Sequence, residues 1–305
     1  MILGKSIRIY LQEGSVAGIK LAEVVNLTIQ ALSSPRVKIS ELNNHFKNQI
    51  NTQGVYFLIG TDEKTAKAKV YIGEGENVWE RLKNHAVAKD FWNEVILFTS
   101  KDDNLTKSHV KYLESRLIDI CKNAGRILLE NNNTPSLNSL PLPDRDAMEE
   151  FIFNIKLLSG TLGHKFLEDP IGHTTFVDQK NQTHKPSDPE VTDVKKELEL
   201  ILNIKDIMAT AIQTDEGIVV LPGSQVIEKE SKNYGYKTLR DELIFDNIIQ
   251  RTQDGSLFFA KKHLFSSPSS AAAVIAGYSI NGRKMWKDRE GRSLNDIEKN
   301  EIIEQ

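Results

Sequence analysis

Polar and apolar residues alternate along Ser6-Ile-Arg-Ile-Tyr-Leu-Gln12, and the run stops at Glu13-Gly14, which predicts a half-buried strand closed by a turn. Ser40, just ahead of Glu41-Leu-Asn-Asn-His-Phe46, predicts a helix N-cap. Two β-rich runs follow, Gly54-Val-Tyr-Phe-Leu-Ile-Gly60 and Lys69-Val-Tyr-Ile-Gly73, separated by the polar stretch 61–66, and they predict a hairpin. Asn77 opens a helix, with Glu80 three residues on as the second half of a capping box. Val95-Ile-Leu-Phe-Thr99 predicts a third strand. Thr106 or Ser108 starts a long helix through about Asn123, which Gly125 ends. After a turn-rich connector at 131–143, Met148, Phe151, Ile152, Ile155 and Leu158 fall at helical spacing.

From Glu168 to about Lys195 the chain turns to Asp, His, Thr, Gln, Lys and Pro, which predicts an exposed linker or long loop. The remainder carries its own signals. Residues 209–226 are strand-like around Asp215-Glu-Gly217, Ser267 opens an alanine-rich helix that Gly277 closes, and Asn281-Gly282 marks a hairpin-type turn. The whole predicts an α+β protein: a small mixed three-stranded sheet flanked by helices at 54–166, an N-terminal extension (1–53) packed on it, a linker at 167–204, and a second small α+β domain at 205–305.

Composition narrows the class without naming it. At 305 residues, 39% hydrophobic and 27% charged, the chain can bury a core and is not disordered throughout. One cysteine, Cys121, excludes an internal disulfide framework and a multi-cysteine zinc site. No apolar run is long enough to span a membrane, and the N-terminus lacks the pattern of a secretion signal, so the expectation is a cytoplasmic protein with no membrane partner. A net charge of −3 does not mark a nucleic-acid binder in bulk. The first 130 residues, however, hold 18 basic and 15 acidic side chains, a local excess of +3 that suits a basic face.

One polar residue stands in the wrong place. Val110, Leu113, Leu117, Ile118 and Cys121 form one apolar stripe of the long helix, and Glu114 lies inside it. A carboxylate facing a core costs several kcal/mol unless it is paired or binds a metal. Glu114 is therefore a structural ion-pair partner, a metal ligand or a catalytic acid/base. In the preceding helix Val78, Leu82 and Ala86 make the buried line, and Arg81 and His85 share its flank, where an Arg fork suits phosphate oxygens. Alone that pair reads as a solvated face, and Tyr56 and Tyr71 on the paired strands read as packing.

Together, Gly54-Val-Tyr56, Tyr71-Ile-Gly73, Arg81, His85, Glu114 and an Asn at 131–133, in that order and spacing, resemble the GIY-YIG nuclease family over about residues 53–135. Val55 stands where the family has Ile. The N-terminal Ile-Arg-Ile-Tyr-Leu stretch with Pro35-Arg36 looks like the lead-in of a bacterial subgroup of these nucleases. Phe265-Ser-Ser-Pro-Ser-Ser with Asn281-Gly-Arg-Lys-Met-Trp286 resembles the uncharacterised domain often fused to that subgroup.

The resemblance implies a metal-dependent endonuclease that hydrolyses DNA phosphodiesters. Glu114 would hold Mg²⁺, with Mn²⁺ as a substitute, Arg81 would stabilise transition-state charge, and Tyr71 would take the proton of the attacking water, either directly or after His85 or a metal-bound water lowers its pKa. Tyr56 would hold the geometry, with Gly73 and Asn132 (or its neighbours Asn131 and Asn133) in support. By charge alone, Lys83, Lys89, Lys111 and Arg116 are candidate phosphate contacts, and Arg283, Lys284 and Trp286 candidate nucleic-acid contacts in the second domain. Single- and double-stranded DNA, a monomer and a homodimer, and roles in restriction or phage defence and in repair all stay open. So do a ribonuclease and a non-catalytic interaction module on the same fold.

Overall fold

In a computed structural model, which describes residues 4–62, 65–102, 104–131, 135, 139–170, 198–229, 231 and 234–303, the chain separates into two compact units, 1–169 and 170–305. The architecture is α+β in both. No helix among the described residues is long and apolar enough to cross a membrane.

The first unit runs β1 (Ile7–Leu11), β2 (Lys20–Val24), β3 (Ile29–Pro35), α1 (Ile39–His45), α2 (Lys47–Ile50), β4 (Gly54–Thr61), β5 (Ala68–Gly75), α3 (Val78–Ala88), β6 (Trp92–Ser100), α4 (Lys107–Ala124), β7 (Leu128–Leu129) and α5 (Leu142–Thr161). Its sheet has seven strands in the order β1-β2-β3-β6-β4-β5-β7. That corrects the three-stranded expectation. The three predicted strands are three of the seven, and residues 1–53 both extend the sheet, β3 pairing antiparallel with β6 from Ile29 opposite Ser100 to Pro35 opposite Glu94, and pack on it through Leu42, Phe46 and Ile50. The sheet is mixed through one short parallel pairing, Lys69–Val70 with Leu128–Leu129.

Alternation along the strands sends side chains to two cores. Val55, Phe57, Val70, Ile72, Ile96 and Phe98 face α4 and α5, where they meet the predicted stripe of Val110, Leu113, Leu117, Ile118 and Cys121. Tyr56, Leu58, Val95 and Leu97 face Val78 and Leu82 of α3 and Leu42 of α1. Each fully buried aliphatic side chain contributes about 1.5–3 kcal/mol, so the sheet is held from both faces.

Local signals fix the helix ends. Asn77 Oδ1 accepts from the Glu80 backbone N–H at 3.1 Å, but Glu80 does not close a capping box, since its carboxylate pairs with Lys83 at 2.8 Å. Thr106, not Ser108, caps α4 in a full capping box with His109, and Gly125 ends it in the left-handed conformation (φ 63°). Ser40 is not a cap, as α1 already includes it and begins after Lys38. Past the end of α5 the His164 ring is anchored 3.1 Å from the Glu94 carboxylate. Most of the expected linker, 171–197, with His173 and His184, lies outside the described residues.

Gly160 sits in the last turns of α5 with open space where a Cβ would stand. Gly160→Ala should therefore stabilise the first unit by roughly 0.5–1 kcal/mol, seen as a small rise in Tm with activity unchanged. A fall in Tm would show a constraint at that helix position.

The second unit runs β8 (Leu198–Ile204), β9 (Ile207–Thr214), β10 (Gly217–Val220), β11 (Gln225–Val226), α6 (Lys237–Phe245), β12 (Ile249–Arg251), β13 (Leu257–Phe259), β14 (His263–Phe265), α7 (Pro268–Ala276), α8 (Gly282–Met285) and α9 (Leu294–Ile303). Two antiparallel sheets, β14-β10-β9-β8 and β11-β13-β12, share one core with α7. Its first described strand, β8, lies within the stretch expected as linker. Ser267 and Gly277 cap α7 as predicted, Gly277 at φ 72°. Asn281-Gly282 is no hairpin turn: Asn281 caps α8 by accepting from the Lys284 N–H.

Candidate active site

The β4–β5 register sets Tyr56 directly opposite Gly73 and Leu58 opposite Tyr71. Tyr56 and Tyr71 therefore share the sheet face that α3 covers. Gly73 is the space their rings need. A Cβ there would stand 2.5 Å from Tyr56 Cζ and Oη and 2.9 Å from Tyr71 Cε1. The two tyrosine rings are 6.2 Å apart between centroids, and the His85 ring lies 5.6 Å from Tyr56 and 5.0 Å from Tyr71. Tyr56 Oη is 2.8 Å from His85 Nε2.

Both partners in that contact are neutral at pH 7. Burial first, then the neighbouring Tyr71, raises Tyr56 far above an ordinary phenol, so it keeps its proton. Burial, with the charges of Arg81 and Lys89, lowers His85 to about 4, so its ring is neutral at pH 7. Tyr56 and His85 thus share one hydrogen bond between two neutral groups, and the His85 tautomer sets its direction. Arg81 lies one turn before His85 on α3, an exposed residue whose side chain interacts with both tyrosines. Its stem crosses Gly75, where a Cβ would come within 2.8 Å of Arg81 Cγ.

Arg36, from the N-terminal extension, fixes the far end of this helix. Its guanidinium donates to the carbonyls of Ala86 (2.9 Å), Asp90 (3.1 Å) and Trp92 (3.2 Å) and stacks 4.8 Å from the Trp92 ring. Sequence reasoning missed it as a site-supporting residue; its only signal was the Pro35-Arg36 pair.

Glu114 approaches from α4 on the other face of β5. It is half-buried, and burial followed by the charge of Glu74 pushes its carboxyl up to about 7, against the opposing influence of Arg81. Among the described residues it forms no salt bridge, so the structural ion-pair reading is not what the fold builds. Glu114 in turn raises the Tyr71 hydroxyl, behind the larger effect of burial. Glu74, the residue after Tyr-Ile-Gly, was also missed. It follows the recognisable tripeptide, but nothing in the sequence places it opposite Glu114.

The outer edge of β5 is held beside these groups by a strand and a side chain in turn. Strand β7 pairs only with Lys69 and Val70, and then Asn131 continues the edge with its side chain: Oδ1 accepts from the Ile72 N–H at 3.0 Å and Nδ2 donates to the Ile72 carbonyl at 2.8 Å. A carboxamide thus takes the place of a strand residue on the β5 edge. Of the three candidate asparagines, Asn131 is the one placed; Asn132 and Asn133 lie outside the described residues. Asn131→Ala should cost about 1–3 kcal/mol, because both backbone groups of Ile72 lose their partner. Thermal denaturation checks this, and an unchanged Tm would mean that water or a neighbour replaces the amide.

The charge-based candidates separate. Lys89 Nζ lies 4.6 Å over the Tyr71 ring, Lys83 is exposed beside Trp79, and Lys111 lies near enough to Glu114 to lower its pKa. Arg116 is committed elsewhere, gripping Glu149 through Nε (2.7 Å) and Nη2 (3.2 Å). In the second unit Arg283 pairs with Glu298 at 2.6 Å and Lys284 is exposed, but Trp286 is wholly buried, and its indole N–H donates to the Pro268 carbonyl at 3.0 Å. Trp286 is a core residue and has no face to offer a base.

No group of three or more His, Cys, Asp or Glu side chains able to hold a metal occurs among the described residues. The donor set at the site is one raised carboxylate. It suits Mg²⁺, which keeps most of its waters and takes one or two carboxylates, and does not suit tetrahedral zinc.

Among known families, a domain of unknown function (DUF4357) matches residues 200–298, which is most of the second unit and about a third of the chain. No curated protein and no solved structure matches the chain.

Proposed function

We propose that residues 1–169 form a GIY-YIG-type nuclease that hydrolyses DNA phosphodiester bonds with a divalent metal. The observation that carries this reading is the gathering of Tyr56, Tyr71, Arg81 and His85 around Gly73, with Glu114 on the opposite side of β5. Structural tyrosines need no neutral His, no exposed Arg and no raised carboxylate beside them, whereas a phosphoryl-transfer site needs a proton acceptor, a fork for phosphate oxygens and an acidic ligand.

In this reading Arg81 holds two phosphate oxygens and stabilises the charge that grows on them as water attacks phosphorus. Tyr71, as phenolate, takes the water's proton while the bond to the leaving oxygen breaks. The pair of Tyr56 and neutral His85 locks the ring stack that positions Tyr71. Glu114 would hold Mg²⁺, which supplies positive charge and ordered waters where the carboxylate alone works against Tyr71 ionisation. Lys89 and Lys83 would extend the positive rim along the backbone. The protein would act in the cytoplasm as a monomer or a homodimer; one site cuts one strand, so duplex scission takes two copies or two events. The second unit would recognise substrate or a partner.

The test is the pH profile of DNA cleavage at sub-saturating Mg²⁺. Glu114 binds metal only when ionised, so kcat/KM should climb about tenfold per pH unit below roughly 7 and level off above it, and more Mg²⁺ should move the bend to lower pH. A flat profile, or a bend that ignores Mg²⁺, would remove Glu114 as the metal ligand.

A further inference from the structure

β1 ends the seven-stranded sheet, and among the described residues no strand pairs with its outer edge. Its ladder with β2 fixes which backbone groups that edge presents. The Gln12 N–H donates to the Ile19 carbonyl and the Val25 N–H to the Ser6 carbonyl, so Ser6, Arg8, Tyr10 and Gln12 bond inward to β2. Ile7, Ile9 and Leu11 therefore point their N–H and C=O groups outward. Exposed edges are commonly blunted by a proline, a bulge or a lysine. β1 has none of these: its register with β2 is unbroken, and its one charge is Arg8. Ile9 and Tyr10 are exposed (41% and 54%), and half-exposed Phe153 carries the apolar surface onto α5, with Lys5 Nζ 5.5 Å over its ring.

The strand complements itself. Ile7-Arg-Ile-Tyr-Leu11 has an apolar residue at its centre and at both ends, and Arg8 and Tyr10 lie symmetrically about Ile9. Laid antiparallel on a second copy about a two-fold axis at Ile9, Ile9 faces Ile9 and Ile7 faces the partner's Leu11. Those outward residues can each exchange both N–H···O bonds. Arg8 then faces the partner's Tyr10 at the closer, non-hydrogen-bonded position. Both side chains are exposed, and neither has a hydrogen bond or ion pair among the described residues. Across the seam the guanidinium gains an aromatic face. Lys5 of each copy comes towards the partner's Glu13, which Lys38 also holds, so opposite charges meet at the ends.

Other registers fail. A slip of two residues one way sets Arg8 opposite Arg8, and two the other way sets Ile7 opposite Glu13. A slip of one sets outward backbone groups against inward ones. We propose that the β1 edge is the seam of a homodimer, two copies joining their sheets antiparallel about Ile9. One strand pair with its flanking side chains is a small interface, so the dimer is weak, with a Kd on the order of 10 µM. The seam does not depend on the nuclease reading.

Sedimentation equilibrium of the full chain from ~1 to ~200 µM should show the mass rising from 34.4 kDa to about twice that and no further, because a two-fold seam closes on itself. Ile9→Lys sets like charges face to face at the axis and should weaken dimerisation at least about tenfold, with the circular dichroism spectrum unchanged at this exposed position. Ile9→Cys gives the geometric test. Its two thiols would stand on residues about 5.5 Å apart between Cα atoms, within disulfide reach, so mild oxidation should cross-link the dimer. Cys121 is buried and does not compete. Val87→Cys, highly exposed on α3 and outside the seam, should cross-link far less. If Ile9→Lys fails to fold, the cysteine pair carries the test. A monomer across the whole range, growth past two copies, a dimer indifferent to Ile9→Lys, or equal cross-linking of Val87→Cys would overturn the proposal.

Discussion

Glu114→Gln should give a protein that is more stable at pH 8 and almost inactive. The folded carboxyl holds its proton up to about pH 7, while an unfolded glutamate releases it near 4.5. Between those values the folded state binds more protons than the unfolded one, so the contribution of Glu114 to stability falls as pH rises across the window. Above it, the ionised carboxylate costs roughly 1–3 kcal/mol once its partial exposure is allowed for. Gln keeps the shape and removes the charge, so Tm at pH 8 should rise by several degrees, and the gain should vanish near pH 4. Turnover should fall by at least about 10³, because the only ligand proposed for the metal is lost. Thermal melts at the two pH values, read beside cleavage rates, test both signs at once. Lower Tm at pH 8 would mean that Glu114 is a structural partner, the reading set aside above.

Gly73→Ala should be nearly as damaging by a different route. The new methyl would stand 2.5 Å from Tyr56 Cζ and Oη, and Tyr56 is wholly buried, so the ring has nowhere to go without breaking its 2.8 Å contact with His85. Overpacking of this kind costs about 1–3 kcal/mol. The displaced ring stack should lower cleavage by roughly 10² or more, since small misplacements of positioned groups have effects of that size. Gly160→Ala, in open space, is the matched control. Wild-type activity in Gly73→Ala would show that the tyrosine stack is packing and not machinery.

Much of the site is written locally. The glycine-bounded runs at 54–60 and 69–73, the Asn77 and Thr106 caps and the Gly125 stop each act over a few residues, and the structure has an element at every one of them. Glu114 was legible because helical periodicity makes a charge inside an apolar stripe visible. What the sequence hides is set by pairing over long separations. Nothing near Ile29–Pro35 says that it will take Glu94–Ser100 of β6 as a partner, so the seven-stranded sheet and the reach of Arg36 to α3 were not foreseeable. Asn131 could not be told from Asn132 and Asn133, because what selects it is the unpaired Ile72 on a distant strand.

Trp286 misled for a related reason. Arg283, Lys284 and Lys287 around it look like a basic patch, but α8 is a single turn, and the chain leaves it with the indole turned into the core and the cations outward. Asn-Gly served equally well as a turn or a cap, since in both an Asn side chain accepts from a nearby backbone N–H.

The central claim meets its most direct test in cleavage of labelled single-stranded DNA, duplex DNA and RNA by the full chain, in Mg²⁺ and in EDTA, with Arg81→Ala alongside. The account predicts cutting of DNA that EDTA abolishes and that falls at least about 10³-fold in Arg81→Ala, with substrate binding largely kept. Cutting of RNA alone would correct the substrate while leaving the site in place. Cutting that survives EDTA or Arg81→Ala, or binding with no cutting in Mg²⁺ or Mn²⁺, would contradict it.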